Sequence, residues 1–555
     1  MAVEKLIVDH IDTWTTALQT RSTAGRGSSG KIELYGIKKL RELILELAVR
    51  GKLVPQDPND EPASELLKHI AAEKAELVKQ GKIKKPKPLP EISEEEKPFE
   101  LPAGWEWIKI SEIGHDWGQK TPDEDFTYID VGSINKEYGI IEEPSILSAK
   151  DAPSRARKIV QKGTVIYSTV RPYLLNIAII ESAFSPEPIA STAFAIIHPY
   201  TAMNANFIYY YLRSPVFINY VESCQTGVAY PAINDKQFFS GIIAVPPSSE
   251  QARITKKIKE LMSLCDQLEQ HSLTSLDAHQ QLVETLLTTL TDSQNADELT
   301  ENWARISEHF DTLFTTEPSI EALKQTILQL AVMGKLVPQD PNDEPASELL
   351  KRIAQEKAQL VKDGKIKKQK PLPPISDEEK PFELPDGWEW CLFEDVVDIQ
   401  SGITKGRNLA NRKLISIPYL RVANVQRGYL DLSEVKEIDI PEEEKDKYHV
   451  IKGDLLITEG GDWDTVGRTT VWCHDWYIAN QNHVFKGRII GQDIDPYWLE
   501  TYMNSPYSRD YFASASKQTT NLASINKTQL RGCPVAIPPS SEAEKIMLKL
   551  NDFNE

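Results

Sequence analysis

A long internal duplication constrains this chain more than any other feature of its sequence. The seventeen residues GKLVPQDPNDEPASELL begin at Gly51 and recur unchanged from Gly334. Between the segments 51–107 and 334–390, 49 of 57 residues are identical, which compositional bias cannot produce. A second repeated piece, ending in Pro-Pro-Ser-Ser-Glu, follows each of the dissimilar regions. The order is therefore constant block, variable region, constant block, variable region and constant tail.

The repeat divides the chain into five parts. We predict an N-terminal helical region with a linker over residues 1–107, a globular domain over 108–247, central helices with a linker over 248–390, a second globular domain over 391–539 and a short tail over 540–555. Constant blocks do the same job twice, whereas the variable regions do related but different jobs. Such a plan suits a scaffold that holds two recognition domains at a fixed separation.

Apolar spacing predicts helices in the constant blocks. LRELILELAVRGKL and its counterpart LKQTILQLAVMGKL repeat Leu and Ile at i, i+3 and i+4, and Gly51 is a plausible stop. Shorter helices are expected over 64–80 and 347–363. The segment after each, GKIKKPKPLPEISEEEKPFELP in the first copy, is expected to be an extended linker because it is rich in Pro, Lys and Glu.

The longest predicted helix runs from about Ser249 to Thr291, a rod of roughly 60 Å. Its expected apolar seam shifts at Leu273 and consists of Ile254, Ile258, Leu261, Cys265, Leu268, Leu276, Leu282, Leu286 and Leu290. The short tail cannot be its partner alone, so we expect the N-terminal helices to complete an antiparallel, coiled-coil-like spacer. The alternative is a long helix packed on one domain.

The variable regions have a mixed character. GTVIYSTV and NIAIIES in the first, and GDLLITEG and GRTTVWCH in the second, are short β-branched runs typical of strands. The expected fold class is α+β: two globular mixed α/β domains joined by long antiparallel helices, with an internal pseudo-twofold repeat.

Composition and motifs exclude several classes of protein. The five cysteines show no CxxC spacing, which argues against disulfides and zinc and favours the cytoplasm, and no segment predicts a membrane span. GRGSSGKI from Gly25 lacks the strand that a phosphate loop needs, so a flexible connector is the better interpretation. CHD at Cys473 and TPDEDFTYID near Asp123 lack further metal or nuclease partners. We therefore expect no catalytic residues, no metal and no cofactor in this chain.

The remaining chemistry is that of recognition loops. YSTVRPYLLN and QTGVAYP in the first region, and SGITKGRNLANRK, YLRVANVQRGYL, TEGGDWDTVGR and SKQTTNLAS in the second, combine cations, amides, hydroxyls and aromatic rings. Such groups read base edges and hold phosphates, although ordinary surface polarity is the alternative. The formal charge of -19 by itself argues against a nucleic-acid partner.

The chain resembles the specificity subunit of type I restriction-modification enzymes over essentially its whole length. The resemblance is carried by FELPAGWEW from Phe99, FELPDGWEW from Phe382, YLRVANVQRGYL with IKGDLLITEGG, the endings AVPPSSEQ and AIPPSSE, and the duplicated blocks. The first region departs from the pattern, since VQKGTVIYSTVRP stands where the second has IKGDLLITEGG.

The resemblance implies a DNA-recognition role and a set of partners. Each target recognition domain would read one half of a bipartite, asymmetric target in double-stranded DNA, and the helices would set the unread gap. Two methyltransferase subunits carrying S-adenosylmethionine and two restriction (motor-nuclease) subunits using ATP and Mg would dock on the constant blocks. We select as DNA-contacting candidates Arg171, Tyr173, Thr226, Gly227, Tyr230, Lys405, Arg407, Arg421, Asn424, Lys517, Gln518, Thr519 and Asn521.

Two other functions remain open at this point. A duplicated protein-docking scaffold without direct DNA readout would also use two equal blocks. An enzyme with an unrecognised carboxylate site would show nuclease activity of the chain alone with magnesium.

Overall fold

The computed structural model describes residues 3–21, 31–84, 90–227, 230–461, 465–519 and 522–553. The chain divides into two compact units, one ending at Thr274 and the other beginning at Ser275. The glycines of the segment that begins at Gly25 lie outside the described residues. The finer five-part division expected from the sequence stays a prediction. Within the described residues, no helix is long and apolar enough to cross a bilayer.

The first unit combines helices of the constant block with a mixed domain. Its helices are α1 (Val3–Asp9), α2 (Ile11–Thr16), α3 (Tyr35–Val49), α4 (Ala63–Lys79), α5 (Ala205–Leu212), α6 (Pro215–Cys224), α7 (Asp235–Ser240) and α8 (Ser248–Asp292), which runs on into the second unit. Its strands are β1 (Gln19–Arg21), β2 (Lys31–Glu33), β3 (Glu106–Lys109), β4 (Gly114–His115), β5 (Phe126–Ile129), β6 (Ile134–Asn135), β7 (Ile140–Ile141), β8 (Ser145–Leu147), β9 (Ala156–Ile159), β10 (Val165–Ser168), β11 (Ile177–Ile179), β12 (Pro188–Ser191), β13 (Phe194–Pro199) and β14 (Ile242–Val245).

The second unit repeats this plan. Its further helices are α9 (Ala296–Glu308), α10 (Phe310–Leu313), α11 (Glu317–Val332), α12 (Ala346–Lys362), α13 (Phe393–Val396), α14 (Lys445–Tyr448), α15 (Pro496–Met503), α16 (Pro506–Ala515), α17 (Lys527–Arg531) and α18 (Ser540–Asp552). Its strands are β15 (Glu389–Leu392), β16 (Val397–Gln400), β17 (Leu414–Leu420), β18 (Lys436–Pro441), β19 (Leu455–Thr458), β20 (Gly460–Gly461), β21 (Thr469–Val471), β22 (Ala479–Asn480), β23 (Val484–Ile489), β24 (Lys517–Thr519), β25 (Leu522–Ser524) and β26 (Pro534–Ile537).

The sheets of the two units have matching topology. An antiparallel sheet of order β11-β10-β13-β4 in the first unit corresponds to β21-β19-β23-β16 in the second. A second sheet, β8-β5-β12-β9, corresponds to β18-β17-β22, and both contain one parallel pair, β5 with β12 and β17 with β22. In each unit the first and last strands of the variable region pair with each other, β3 with β14 and β15 with β26. The α+β fold expected from the sequence is confirmed.

The long helix matches its prediction in length but not in every core position. Ile254, Ile258, Leu261 and Cys265 are buried as expected. Farther along, Leu282 is 50% exposed, and Val283 is buried in its place. The apolar seam there is Val283, Leu287 and Leu290, and it packs with Ile306, Leu313, Leu323 and Leu330 of α9 to α11. The assignment of Leu282 to the seam was wrong because the helices that cover α8 change, and periodicity alone does not report that change.

The N-terminal block packs on the first half of α8. Arg41 of α3 forms ion pairs with Asp266 and Glu269, both at 2.6 Å. This contact agrees with the expected spacer, in which helices from the N-terminal region lie beside the central helix.

A tight clasp ends α3 and α11 in the same way. Gly51 has φ +66°, and a Cβ there would come within 2.5 Å of the Pro102 ring. Gly334 has φ +70°, and a Cβ there would come within 2.6 Å of Pro385. Glycine is required at both positions because the backbone is left-handed and the proline leaves no room. The identical GKL segments therefore serve one conformation twice.

The same clasp buries a carboxylate in each unit. The Trp105 indole donates a hydrogen bond to Glu250 at 3.0 Å, and Gln339 donates one to Glu542 at 3.2 Å. Burial raises the pKa of both carboxyls, which these hydrogen bonds partly oppose. The glutamate of each Pro-Pro-Ser-Ser-Glu ending thus ties the chain leaving a variable region to the block that precedes it.

The segments expected to be extended linkers contain short 3-10 turns. Glu94–Glu96 and Asp377–Glu379 each form one turn. The backbone N–H of Ser93 donates to Glu96 at 2.8 Å, and that of Ser376 donates to Glu379 at 2.8 Å. These capping boxes order part of the linker that its composition marked as featureless.

Candidate nucleic-acid interface

In the first unit, the segment after β10 meets the loop that follows α6. Val170 forms an antiparallel bridge with Ala232, and Thr226 forms another with the same residue. The backbone N–H of Arg171 donates to the Pro231 carbonyl at 2.9 Å. The structure therefore brings together the two loops, YSTVRPYLLN and QTGVAYP, that the sequence analysis chose independently.

These loops present a cation and two aromatic rings. Arg171 has φ +49°, a left-handed conformation that costs an arginine free energy, and its guanidinium lies 4.8 Å from the Tyr230 ring centroid. Tyr173 is 53% exposed and Tyr230 is 69% exposed. Gly227 has φ +92°, while residues 228–229 lie outside the described part. The chain has accepted backbone strain to place a stacked Arg–Tyr pair at the surface.

The second unit builds the equivalent edge from a hairpin. Gly460 pairs with Ser524, and Lys517 pairs with Ser524 from the other side, so β25 lies between β20 and β24. The register of the central strands, Ile166 with Ile196 and Leu456 with Lys486, places Gly461 at the position of Arg171. The side chains of Lys517, Gln518 and Thr519 and all of Asn521 lie outside the described residues. Their contact with DNA stays a prediction.

Lys405 and Arg407 lie on a different part of the second domain. They line a cavity of about 320 Å³ with Tyr419, and the ammonium of Lys405 is 5.1 Å from that ring centroid. Arg407 is paired with Glu444 at 2.8 Å, and this hydrogen bond lowers the pKa of the Glu444 carboxyl. Arg412 also pairs with Glu444, at 3.1 Å. The cations of this loop are therefore matched by acidic side chains within the chain itself.

Arg421 and Asn424 form part of the protein's own framework. Asn424 is only 3% exposed, and its amide donates to the carbonyls of Asp431 and Glu434 at 2.8 and 3.0 Å. Its oxygen accepts from the backbone N–H of Arg421 at 2.9 Å. The Arg421 guanidinium pairs with Glu434 at 3.0 Å. A base contact from Arg421 therefore requires release of Glu434, and contact of either residue with DNA stays a prediction.

A family model for the type I restriction modification DNA specificity domain matches the chain twice, over residues 102–278 and 385–555. This chain belongs to that family. Each match spans one variable region together with the strands that close it, so the specificity domain is present in two copies.

Relatives of similar length support the same family. The type I restriction enzyme EcoEI specificity subunit of Escherichia coli is 49% identical over 566 residues, covering 100% of this chain and 95% of the relative. The EcoAI specificity subunit of Escherichia coli is 50% identical over 573 residues, with 100% and 95% covered. A chain from a structural study of type I R-M complex assembly aligns at 21% identity with a TM-score of 0.48, covering 82% of this chain and 92% of that one.

Two residues of this specificity subunit were missed among the candidates although their loops were chosen. Arg468 donates to the Gln426 side chain at 2.8 Å, which joins TEGGDWDTVGR to YLRVANVQRGYL. The backbone N–H of Gly428 also donates to the Thr469 carbonyl at 3.1 Å. The available signal was the presence of a long polar side chain in each of two neighbouring loops. Sequence spacing does not show that such loops touch.

A buried lysine distinguishes the second specificity domain from the first. Lys486 is 1% exposed and pairs with Leu456 in the central sheet, at the position that Ile196 occupies opposite Ile166. Its ammonium donates to the carbonyls of His449 and Lys447 at 2.9 and 3.3 Å. Burial lowers the Lys486 pKa to about 8, with a further contribution from the nearby Arg488 cation.

This lysine predicts a pH-dependent stability of the second unit. Between pH 8 and 10.5 the unfolded chain binds more protons than the folded one, so Lys486 makes stability rise with pH in that window. We expect wild-type protein to gain on the order of 2–3 kcal/mol relative to Lys486→Ile as the pH rises from 8 to 10. Urea unfolding of both proteins measures the difference, and tyrosine ionisation, common to both, cancels. Parallel pH profiles would contradict the assigned burial of charge.

The described residues contain no cluster of three or more His, Cys, Asp or Glu side chains arranged to hold a metal ion.

Proposed function

We propose that this chain is the sequence-reading subunit of a type I restriction-modification complex, and that its two specificity domains read the two halves of a split target in double-stranded DNA. The chain supplies recognition, and the chemistry belongs to its partners.

One observation carries this proposal. Two domains share a strand order, a closing strand pair and a nearly identical constant block, yet differ in the side chains at one equivalent edge. That edge holds Arg171 in the first domain and Gly461 with a three-stranded ribbon in the second. Equal frames with unequal loops are what two readers of different base sequences require, because readout depends on loop side chains while positioning depends on the frame.

The duplicated blocks also support a pair of equivalent partners. Two methyltransferase subunits, each carrying S-adenosylmethionine, would dock through the constant blocks and methylate an adenine in each half-site after extruding it from the duplex. Two restriction subunits would add ATP- and Mg-dependent translocation and cleavage. Cationic surfaces on these partners would offset the formal charge of -19 on this chain.

A domain graft tests the proposal. Residues 391–537 are replaced by a copy of residues 108–245, because the β3–β14 and β15–β26 pairs offer matching junctions. Each version is expressed with its methyltransferase partner, and adenine methylation is mapped across the genome. The intact chain is expected to direct methylation of a two-part motif with unlike halves. The graft is expected to direct methylation of a motif that carries the first half twice.

The reverse graft, residues 391–537 in place of 108–245, is the matched control and is expected to double the second half. Methylation that is unchanged by either graft would show that the domains dock proteins and do not read DNA.

A further inference from the structure

A cluster of exposed lysines lies outside both reader edges. The segment Lys365–Lys370, KIKKQK, which we name the lysine strap, exposes Lys365, Lys367, Lys368 and Lys370. Residues 364–376 contain no Asp or Glu. Among the described residues, none of the four lysines forms a salt bridge. In a chain with a formal charge of -19, this is a concentrated and unneutralised positive charge.

The main chain of the strap is held in place. The backbone N–H of Lys365 donates to the Leu360 carbonyl at 2.9 Å at one end. At the other end, the Arg531 guanidinium donates to the Lys370 carbonyl at 2.7 Å. Arg531 is itself only 8% exposed and is paired with Glu394. The lysines therefore project from a fixed backbone, which reduces the entropy lost when they bind a ligand.

The strap adjoins the reader edge of the second domain. With α12, β15 and α17 it borders a groove of about 1000 Å³. Lys527, also on this groove, begins α17 three residues after the reader strand β25 ends. Burial lowers the Lys527 pKa, and the Arg531 and Lys367 cations lower it further, which places Lys367 close to Lys527. A run of positive charge thus leads from the strap to the base of the reader.

We propose that the lysine strap, with Lys527, binds the phosphodiester backbone of the duplex beside the second half-site without regard to base sequence. This inference rests on the proposed function, since it assumes that the second domain meets DNA.

The chemistry of the strap favours phosphates over an acidic protein segment. Lysine is a compact, freely rotating point charge that suits phosphates of any sequence, whereas a specific protein contact requires an apolar or bidentate anchor. The first constant block carries the related sequence KIKKPK at residues 82–87, of which 85–87 lie outside the described residues. Each reader is therefore followed through the sequence by its own strap.

The test is the salt dependence of binding by the complete complex of this chain with its methyltransferase partner. Lys365, Lys367, Lys368 and Lys370 are changed together to Gln, and binding is measured to a duplex that carries the mapped two-part motif. Each lost phosphate contact lowers the slope of log affinity against log salt by about 0.9. We expect the slope to fall by about 3, and affinity in low salt to fall at least about tenfold. The ratio of target to non-target affinity should stay the same.

Two controls isolate the charge. The four Lys→Arg changes keep the charge and should leave the slope unchanged, and Lys324→Gln removes an exposed lysine of α11 and should do the same. An unchanged slope with intact assembly would overturn the proposal and leave a solvated surface. An unchanged slope with loss of the methyltransferase subunit would also overturn it, in favour of protein docking. Absence of target-dependent binding by the wild-type complex would instead refute the proposed function.

Discussion

Replacing Arg531 by Ala is expected to destabilise the second unit by about 3–5 kcal/mol. The guanidinium donates to Glu394 at 2.6 Å, and the two side chains are 10% and 12% exposed. Removing the arginine leaves the Glu394 carboxylate buried without its counterion and leaves the Lys370 carbonyl without a donor. The cost is that of an uncompensated buried charge, which exceeds the net value of the intact pair.

Hydrogen exchange measures this effect locally. Amides of β15 and β26 should lose protection by about 10²–10³-fold in Arg531→Ala, since 1.4 kcal/mol corresponds to a factor of ten. Arg352→Ala is the matched control, because Arg352 makes a bidentate pair with Glu344 but is 47% exposed, and it should change protection little. The double variant Arg531→Met with Glu394→Leu should recover most of the loss. A double variant as unstable as Arg531→Ala would show that lost packing, and not the unpaired charge, is responsible.

Replacing Arg171 by Ala is expected to weaken binding of the target duplex by about 10–100-fold, through the first half-site alone. Arg171 is the cation at the edge that the two loops of the first domain build, and it is stacked on the exposed Tyr230 ring. Substitution of the half-site read by the first domain should then cost the variant little further affinity. Substitution of the other half-site should cost it as much as it costs the wild type.

The left-handed backbone of Arg171 provides a second variant. Arg171→Gly removes the same side chain but suits φ +49°, so it should bind DNA as weakly as Arg171→Ala while folding at least as stably as the wild type. Lys162→Ala is the control, because this exposed lysine precedes β10 whereas Arg171 follows it, at the opposite end of the same strand. Equal weakening at both half-sites, or on unrelated DNA, would place Arg171 on the phosphates and not on a base.

The strands and helices near the recognition loops were largely predictable. Val165–Ser168 and Leu455–Thr458 lie inside the β-branched runs that the sequence marked, because strand formation there depends on local residue type. The partners of individual polar side chains were not predictable. Asn424 looked like a reader of adenine, yet its amide holds three backbone groups within a buried turn.

Sequence alone determined the plan of this protein: a duplicated constant block, two unlike domains and a long central helix. Such features follow from identity between distant segments and from short-range periodicity, which need no knowledge of neighbours in space. Only the tertiary structure decided that Val283 and not Leu282 faces the core, that Arg421 is already paired with Glu434, and that Lys486 is buried where the other copy has Ile196. These outcomes depend on which elements pack together, because burial and charge pairing are properties of long-range contacts.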